Sequence, residues 1–438
     1  MTRRQLLNTA AGTALSYSRI LGANDRVRTG LLGFSDRAHD ALIPAFFANA
    51  TQQNFQMVAV ADIWTLRRDE GSSYLSKIAG TRVEGVRNDE ELFARKDVDA
   101  VIIATADFQH APHGTAAVRA DKDAYIEKPL ANQIADARAL LKAVTSSNRV
   151  VQIGTQRRSA KNTIAARDFI QSGEFGQINQ VRLTSHFNQP ARWLRPEMIA
   201  KLRAEDTDWN RWRLHRSSEA FNGRHYFEFR LFWPYSTGMF DQWMVHQIDA
   251  LHMITGMSHP RTAVASGGIY AYRDGRTSPD TAIAVFEYGQ PGDAGKAFQV
   301  EFSGRMANAA GGTEDYYYSQ KGSLQTGAGK VSGDGGLIEK YAKLAGRSAD
   351  VLADRQLFDG PARKPGRQPS GEDELRADAT TSAHMKNWME CVRSRKAPVA
   401  DIHAGYGHSI ALCMAITALH TGRKVSFDEK TEEVVTGA

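Results

Sequence analysis

Residues 27 to 38 read Val27-Arg28-Thr29-Gly30-Leu31-Leu32-Gly33-Phe34-Ser35-Asp36-Arg37-Ala38. A short apolar run stops at a glycine, and a helix is expected over 37 to 50. Such a run suits a strand buried on both faces that ends in a tight turn. The same unit repeats along the chain. Phe55 to Ala61 is a second strand, ending at Asp62, with a helix around 66 to 78. Val83 to Val86 is a third, and Val98 to Ala104 is strongly apolar. A helix over 113 to 120, a strand over 124 to 126, a helix over 133 to 147 and a strand over 150 to 153 follow. Repeated strand–helix units build a doubly wound parallel sheet. The first domain is expected across residues 25 to 150.

Past residue 150 the texture changes. Gln180 to His186, Arg261 to Ser266, Ala282 to Tyr288 and Phe298 to Phe302 alternate apolar and polar positions with few helices between them. That pattern predicts a second α/β domain, residues 151 to 430, on an open, mainly antiparallel sheet. Gly346 to Thr380 is polar and rich in glycine, proline and charge, so it reads as a surface excursion. Helices are expected over 381 to 395 and 402 to 421.

Composition narrows the function classes. Apolar residues make up 42% of the 438, enough for two cores, and charged residues make up 24%. The net charge is +6, with the arginines scattered, whereas a nucleic-acid surface concentrates them on one face. No nucleic-acid partner is expected. Only Cys391 and Cys413 are present, without metal spacing, so no metal site is expected. No run approaches the roughly 18 to 20 apolar residues of a membrane span. The start, Thr2-Arg3-Arg4-Gln5-Leu6-Leu7, has twin arginines ahead of an apolar stretch that Arg19 interrupts. It resembles a twin-arginine export signal. Residues 1 to 24 are therefore expected to be that signal or a disordered terminus. The protein would be periplasmic if the signal works and cytoplasmic if it does not.

The turn after the first strand bears on ligand binding. A dinucleotide fold places G-x-G-x-x-G/A there, and this chain has Gly33, Ser35 and Ala38. Ser35 is a departure, because its Cβ crowds the phosphate side. Asp36 sets a carboxylate where an anion should bind, with Arg37 expected to offset it. Gly33, Phe34, Ser35 and Arg37 are the expected cofactor contacts of this turn. Asp62 is placed to bond a ribose diol, which favours NAD, while Arg67 and Arg68 leave NADP open. Twenty-nine positions separate Gly33 from Asp62, against a usual gap of about 20, so an insertion is expected near Asn49 to Phe55.

Two further loops sit at the carboxyl ends of parallel strands, where such sheets bind ligands. One is Thr105-Ala106-Asp107-Phe108-Gln109-His110, followed by His113; the other is Glu127-Lys128-Pro129-Leu130. Beside an oxidised nicotinamide the Lys128 pKa should fall. Its amine could then exchange a substrate hydroxyl proton as hydride leaves the carbon.

Glycine turn, Asp62, Thr105 to His110 and Glu127-Lys128-Pro129, taken in order, resemble the glucose–fructose oxidoreductase / inositol dehydrogenase (Gfo/Idh/MocA) family, in a secreted form. The likeness continues through Gln152 to Arg158, Trp209 to Trp212, Arg230 to Trp233 and Gly238 to Asp249. It implies a Rossmann domain and a catalytic, oligomerising second domain. It also implies NAD or NADP, and a homo-oligomer paired through the open sheet. By that resemblance Lys128 and His246 are catalytic. Thr105, Ala106, His110, Glu127 and Lys128 touch the cofactor, and Gln156, Arg157, Arg158, Asp241 and Asp249 bind substrate. Family members carry an acid four residues before the histidine; here Gln242 stands there and Asp241 one place earlier. One position is about 100° of helix rotation, so Asp241 cannot substitute without a local change.

The implied reaction is oxidation of a secondary alcohol of a sugar, cyclitol or glycoside, or the reverse, with a tightly held, recycled cofactor if the export signal works. NAD-dependent glycoside cleavage through a keto intermediate is an alternative. A non-catalytic sugar-binding paralogue is a rival, with Ser35, Asp36 and Gln242 in its favour. For Trp209, Trp212, Trp233 and Tyr235 the plain reading is core rather than sugar platform.

Overall fold

The computed structural model describes residues 26–290, 292, 297–359 and 377–437. The twin-arginine segment lies outside the described residues.

Six strands form the first sheet: β1 (Val27–Leu32), β2 (Phe55–Ala61), β3 (Glu84–Val86), β4 (Ala100–Ile103), β5 (Asp123–Glu127) and β6 (Val151–Gly154). All pair parallel, in the order β3-β2-β1-β4-β5-β6. This is the doubly wound Rossmann arrangement, with its switch point between β1 and β4. Val101, Ile102 and Ile103 are almost wholly buried, as a strand covered by helices on both faces must be. β6 extends this sheet past the expected boundary at 150. The extra length of the first crossover is not a loop. A π turn, Ala38–Leu42, runs into the helix Ile43–Gln53, and Asn54 closes it in the left-handed conformation at φ 55°.

The second sheet has ten strands. These are β7 (Ile178–His186), β8 (Thr262–Gly268), β9 (Thr281–Tyr288), β10 (Phe298–Arg305), β11 (Thr313–Ser319), β12 (Gly322–Gln325), β13 (Lys330–Ser332), β14 (Arg355–Gln356), β15 (Val425–Asp428) and β16 (Glu433–Thr436). Their order is β14-β13-β12-β11-β7-β10-β9-β8-β15-β16. Neighbours run antiparallel except β7 with β10. One face buries Val181, Leu183, Phe286, Val300 and Phe302 against the helices Val245–Thr255 and Ile402–Thr421. The latter helix is long and apolar enough to cross a membrane, but 72% of its most apolar window is buried within the protein.

The chain then returns to its first domain. The helix Ala379–Ser394 lays Met385, Trp388 and Val392 into the core under β1 and β2, with Trp388 against Phe55 and Tyr125. Of the expected excursion 346 to 380, the described part includes β14, paired to β13.

Candidate active site

β1 and β4 end side by side, and their loops part there. Gly33 has φ +90°, and a Cβ on it would lie 2.9 Å from the Ala104 oxygen, so only glycine fits. Ser35 turns its hydroxyl into the protein, donating to Ala104 O at 2.8 Å and accepting from Ala38 N at 3.3 Å. Asp62 braces the same turn, accepting from Phe34 N at 3.0 Å and Trp64 N at 2.9 Å. Burial pushes the Asp62 pKa up, against those two bonds. The Phe34 ring is buried against Gly71, so the residue shows the cleft mainly its backbone. Asp36 is exposed and pairs with Arg67 at 2.9 Å and Arg195 at 3.6 Å. Those two arginines, not Arg37, offset its charge. Arg37 reaches instead to the buried Glu127, its Nε 3.0 Å from Oε1.

Glu127 anchors the lysine loop. Besides Arg37, it accepts from Gln156 Nε2 at 2.9 Å and from Lys128 N at 3.1 Å. Burial pushes its pKa up, but Arg37 and Lys128 outweigh that and hold it below the usual range. Gln156 also donates to the Tyr125 hydroxyl at 2.9 Å. The next peptide, Lys128–Pro129, is cis. The His110 ring lies between the two loops, 2.7 Å from Pro129 O and 3.2 Å from Thr105 O. Burial lowers its pKa. Thr105, Ala106 and His110 all line the same cleft.

The Lys128 amine meets the second domain at a helix interior. It lies 3.1 Å from Gln242 O, 3.3 Å from Gln242 Oε1 and 3.5 Å from Asp241 O. Burial brings its pKa down to about 8, against the pull of Asp107 and Glu127. The local change demanded by the Asp241–Gln242 pair exists: a π turn, Phe240–Met244, precedes the helix Val245–Thr255. It does not bring Asp241 to the cleft. Asp241 is fully buried, and its carboxylate accepts from Thr237 N at 2.7 Å and from the Thr237 hydroxyl. Gln242 faces the cleft, with His246 one helical turn further on the same wall. The Gln242 oxygen takes bonds from Lys128 and from Arg230 Nε at 3.1 Å, while its amide donates to Asp107.

Gln156 and Arg157 line the cleft, with Arg157 paired to Asp315 at 3.0 Å. Arg158 and Asp249 do not line it. Arg158 Nε lies 2.7 Å from Asp249, whose other oxygen is 3.3 Å from His408 Nδ1. His408 Nε2 in turn accepts from Leu130 N at 3.2 Å. Three groups expected at substrate, Arg158, Asp241 and Asp249, are thus spent on internal partners, because both acids lie on the helix faces turned away from the cleft that Gln242 and His246 line.

The sequence reading overlooked several cleft residues. Asp107 was read only as part of a loop; it is buried and accepts from Ser236 Oγ at 2.9 Å as well as from Gln242. Arg192, Arg230 and Trp243 also line the cleft, which has a volume of about 2880 Å³. Their signal was arginine beside aromatic residues, which core packing explains equally well. Much of the segment between β7 and the π turn is indeed core: Trp209, Trp212 and Tyr235 are buried together with Phe108 of the first domain.

Residues 28–155 match the family model described as "Oxidoreductase family, NAD-binding Rossmann fold", GFO_IDH_MocA. Inositol 2-dehydrogenase of Salmonella typhimurium is 32% identical over 167 residues, 37% of this chain and 48% of that protein. The 1,5-anhydro-D-fructose reductase of Ensifer adhaerens is 31% identical over 192 residues, 41% of this chain and 54% of that protein. The chain spans about half the length of these curated relatives. The WlbA dehydrogenase from Bordetella pertussis, solved with NADH and UDP-GlcNAcA, superposes with a TM-score of 0.62 at 16% identity, covering 92% of this chain and 99% of that one.

Proposed function

We propose that this chain, whose residues 28–155 form an NAD-binding Rossmann domain of the Gfo/Idh/MocA oxidoreductase type, is a dehydrogenase interconverting a secondary alcohol of a sugar or cyclitol with the matching ketone. One observation carries the reading: a lysine amine with its pKa brought down to about 8 faces the same cleft as the glycine turn and His246. The site fits a dinucleotide. The glycine turn excludes a Cβ at Gly33, Asp62 holds a carboxylate beside the cleft, and Thr105 and Ala106 line it further along. Those residues would hold the cofactor, whose nicotinamide supplies the hydride acceptor or donor when bound.

The chain's own groups handle the proton. Neutral Lys128 accepts it from the substrate hydroxyl, and the ammonium so formed is held by the two Gln242 oxygens. In the reverse direction the ammonium returns it. His246 orients the hydroxyls from the facing wall. Alcohol oxidation should therefore rise with pH through about 8, and ketone reduction should fall.

Contacts across the cleft mouth support a retained, recycled cofactor. Arg195 reaches Asp36, Trp64 packs edge-on to Phe227 at 5.2 Å, and Arg211 pairs with Asp89 at 2.9 Å. Recycling suits chemistry without net dinucleotide turnover, either coupled oxidation and reduction or glycoside cleavage through a keto intermediate. Export by the twin-arginine route, which carries folded proteins, belongs to the same reading. Pairing of two chains through the open sheet is supported by Val264 and Ile283, exposed on the face away from the helices.

The test is to denature purified protein, identify the released dinucleotide, and follow nicotinamide absorbance in the native protein with sugars and cyclitols. Lys128→Met should slow turnover by roughly a thousandfold while leaving the dinucleotide bound. Protein that neither binds dinucleotide nor changes absorbance with any of these compounds would be a sugar-binding paralogue instead.

A further inference from the structure

Several cleft arginines already have acids. Arg157 pairs with Asp315, Arg195 with Asp36 and Arg211 with Asp89. Arg192 and Arg230 differ. Arg192 lies over the rings of Trp243 and Phe187, 5.1 and 5.7 Å from their centroids, and donates only to the Gln189 side chain. Arg230 lies 4.4 Å from the Phe229 centroid and donates its Nε to Gln242. Among the described residues neither has a carboxylate within ion-pair distance, in contrast to their neighbours. The acids close by are engaged: Asp107 with Gln242 and Ser236, and Glu228 with Arg224 and the Arg195 backbone. Arg230 and Arg195 lie close enough to repel the Arg192 charge. Arg192 is exposed and Arg230 half-buried on the cleft wall, so two guanidinium groups without a carboxylate face whatever enters the cleft.

The geometry says where an anion on them sits. Arg230, Gln242 and the Lys128 amine form a chain of 3.1 and 3.3 Å contacts. An anionic group on Arg230 is therefore one side chain away from the proposed proton acceptor. Trp243, stacked on Trp193 with centroids 5.2 Å apart and packed against Phe187, forms the aromatic support on which Arg192 rests at the cleft wall. A guanidinium presents a planar fork that matches the two oxygens of a carboxylate.

We infer that the substrate is a sugar acid, its carboxylate taken by Arg192 and Arg230 while its secondary alcohol lies at Lys128. This rests on the dehydrogenase reading above and narrows it. A phosphate or sulfate ester would share the charge but not the planar fork.

Tryptophan fluorescence, with Trp243 and Trp193 at the site, reads binding independently of turnover. Wild-type protein carrying its dinucleotide is titrated with three neutral/acid pairs: glucose and glucuronate, galactose and galacturonate, mannose and mannuronate. At least one uronate should bind about tenfold or more tighter than its neutral partner. Arg192→Gln and Arg230→Gln should each remove most of that preference, and Arg192→Lys should keep part of it, which a misfolded variant would not. Equal affinity within all three pairs overturns the inference, and so does tighter binding of glucose 6-phosphate or glucose 6-sulfate than of any uronate. Uronate binding that the glutamine variants leave intact overturns it as well. Selective uronate binding without any change in nicotinamide absorbance would instead sink the dehydrogenase reading and leave the anion site standing.

Discussion

Asp241 and Asp249 stand eight positions apart on one continuous helical stretch, and both are fully buried. Their surroundings drive them in opposite directions. Burial raises the pKa of each. At Asp249 the Arg158 guanidinium at 2.7 Å and His408 at 3.3 Å outweigh burial and hold the carboxyl well below the usual range. Among the described residues no such cation pairs with Asp241. Its pKa is pushed up to about 7, by burial first and then by the charge of Asp107. Burial alone does not decide whether a carboxylate stays charged; the partner does. The consequence reaches the lysine loop, since Asp249 fixes His408, which accepts the Leu130 N–H two residues after Lys128. The ionised acid is a brace for the lysine loop, while burial and Asp107 push the other toward its protonated form.

The sharpest way to break this contrast is to remove the brace. Asp249→Ala leaves Arg158 buried and unpaired, so it should cost about 3–5 kcal/mol of stability. Denaturant unfolding measures it. A loss below about 1 kcal/mol would mean the pair does not hold the two elements together. Replacing both partners, Arg158→Met with Asp249→Leu, should recover part of the loss, because no lone charge remains.

The pH dependence of stability tests the other acid. The folded pKa of Asp241 lies above its unfolded value of 3.8. Between those values the native state holds more protons, so stability falls as pH rises from about 4 to 7 and is flat beyond. Through this group the wild type should be less stable at pH 8 than at pH 5. Asp241→Asn should remove that part of the slope, as read from unfolding midpoints at the two pH values. Parallel pH profiles for variant and wild type would show that Asp241 is ionised like any surface acid.

The same contrast explains what the sequence made legible. Strand-and-helix alternation is local: the apolar run Val101 to Ile103 and the glycine at 33 announce the sheet and its turn without reference to distant residues. Glu127-Lys128-Pro129 is legible for the same reason. The fates of Arg158, Asp241 and Asp249 are not local. Asp249 is expected at substrate through the family resemblance, but its partner His408 is 159 positions away. Arg37 was matched to its neighbour Asp36, whereas its partner Glu127 lies 90 positions on. Trp388, which packs under the first sheet, comes from a stretch read only as part of the second domain. Charged and aromatic side chains are assigned by tertiary proximity, which periodicity does not encode.

The smallest expected effect probes the neutral residue between the two acids' territories. Gln242 places an uncharged oxygen 3.3 Å from the Lys128 amine. Gln242→Glu would put a negative charge there, and an opposite charge favours the ammonium form. The Lys128 pKa should then move up from about 8. Asp107, which now accepts from the Gln242 amide, would face that new charge and oppose part of the shift. The net displacement should be roughly half a pH unit upward in the alcohol-oxidation profile. A downward displacement, or none, would mean that Lys128 is not the group whose ionisation that profile reports, and the proton would have to be assigned to His246 across the cleft.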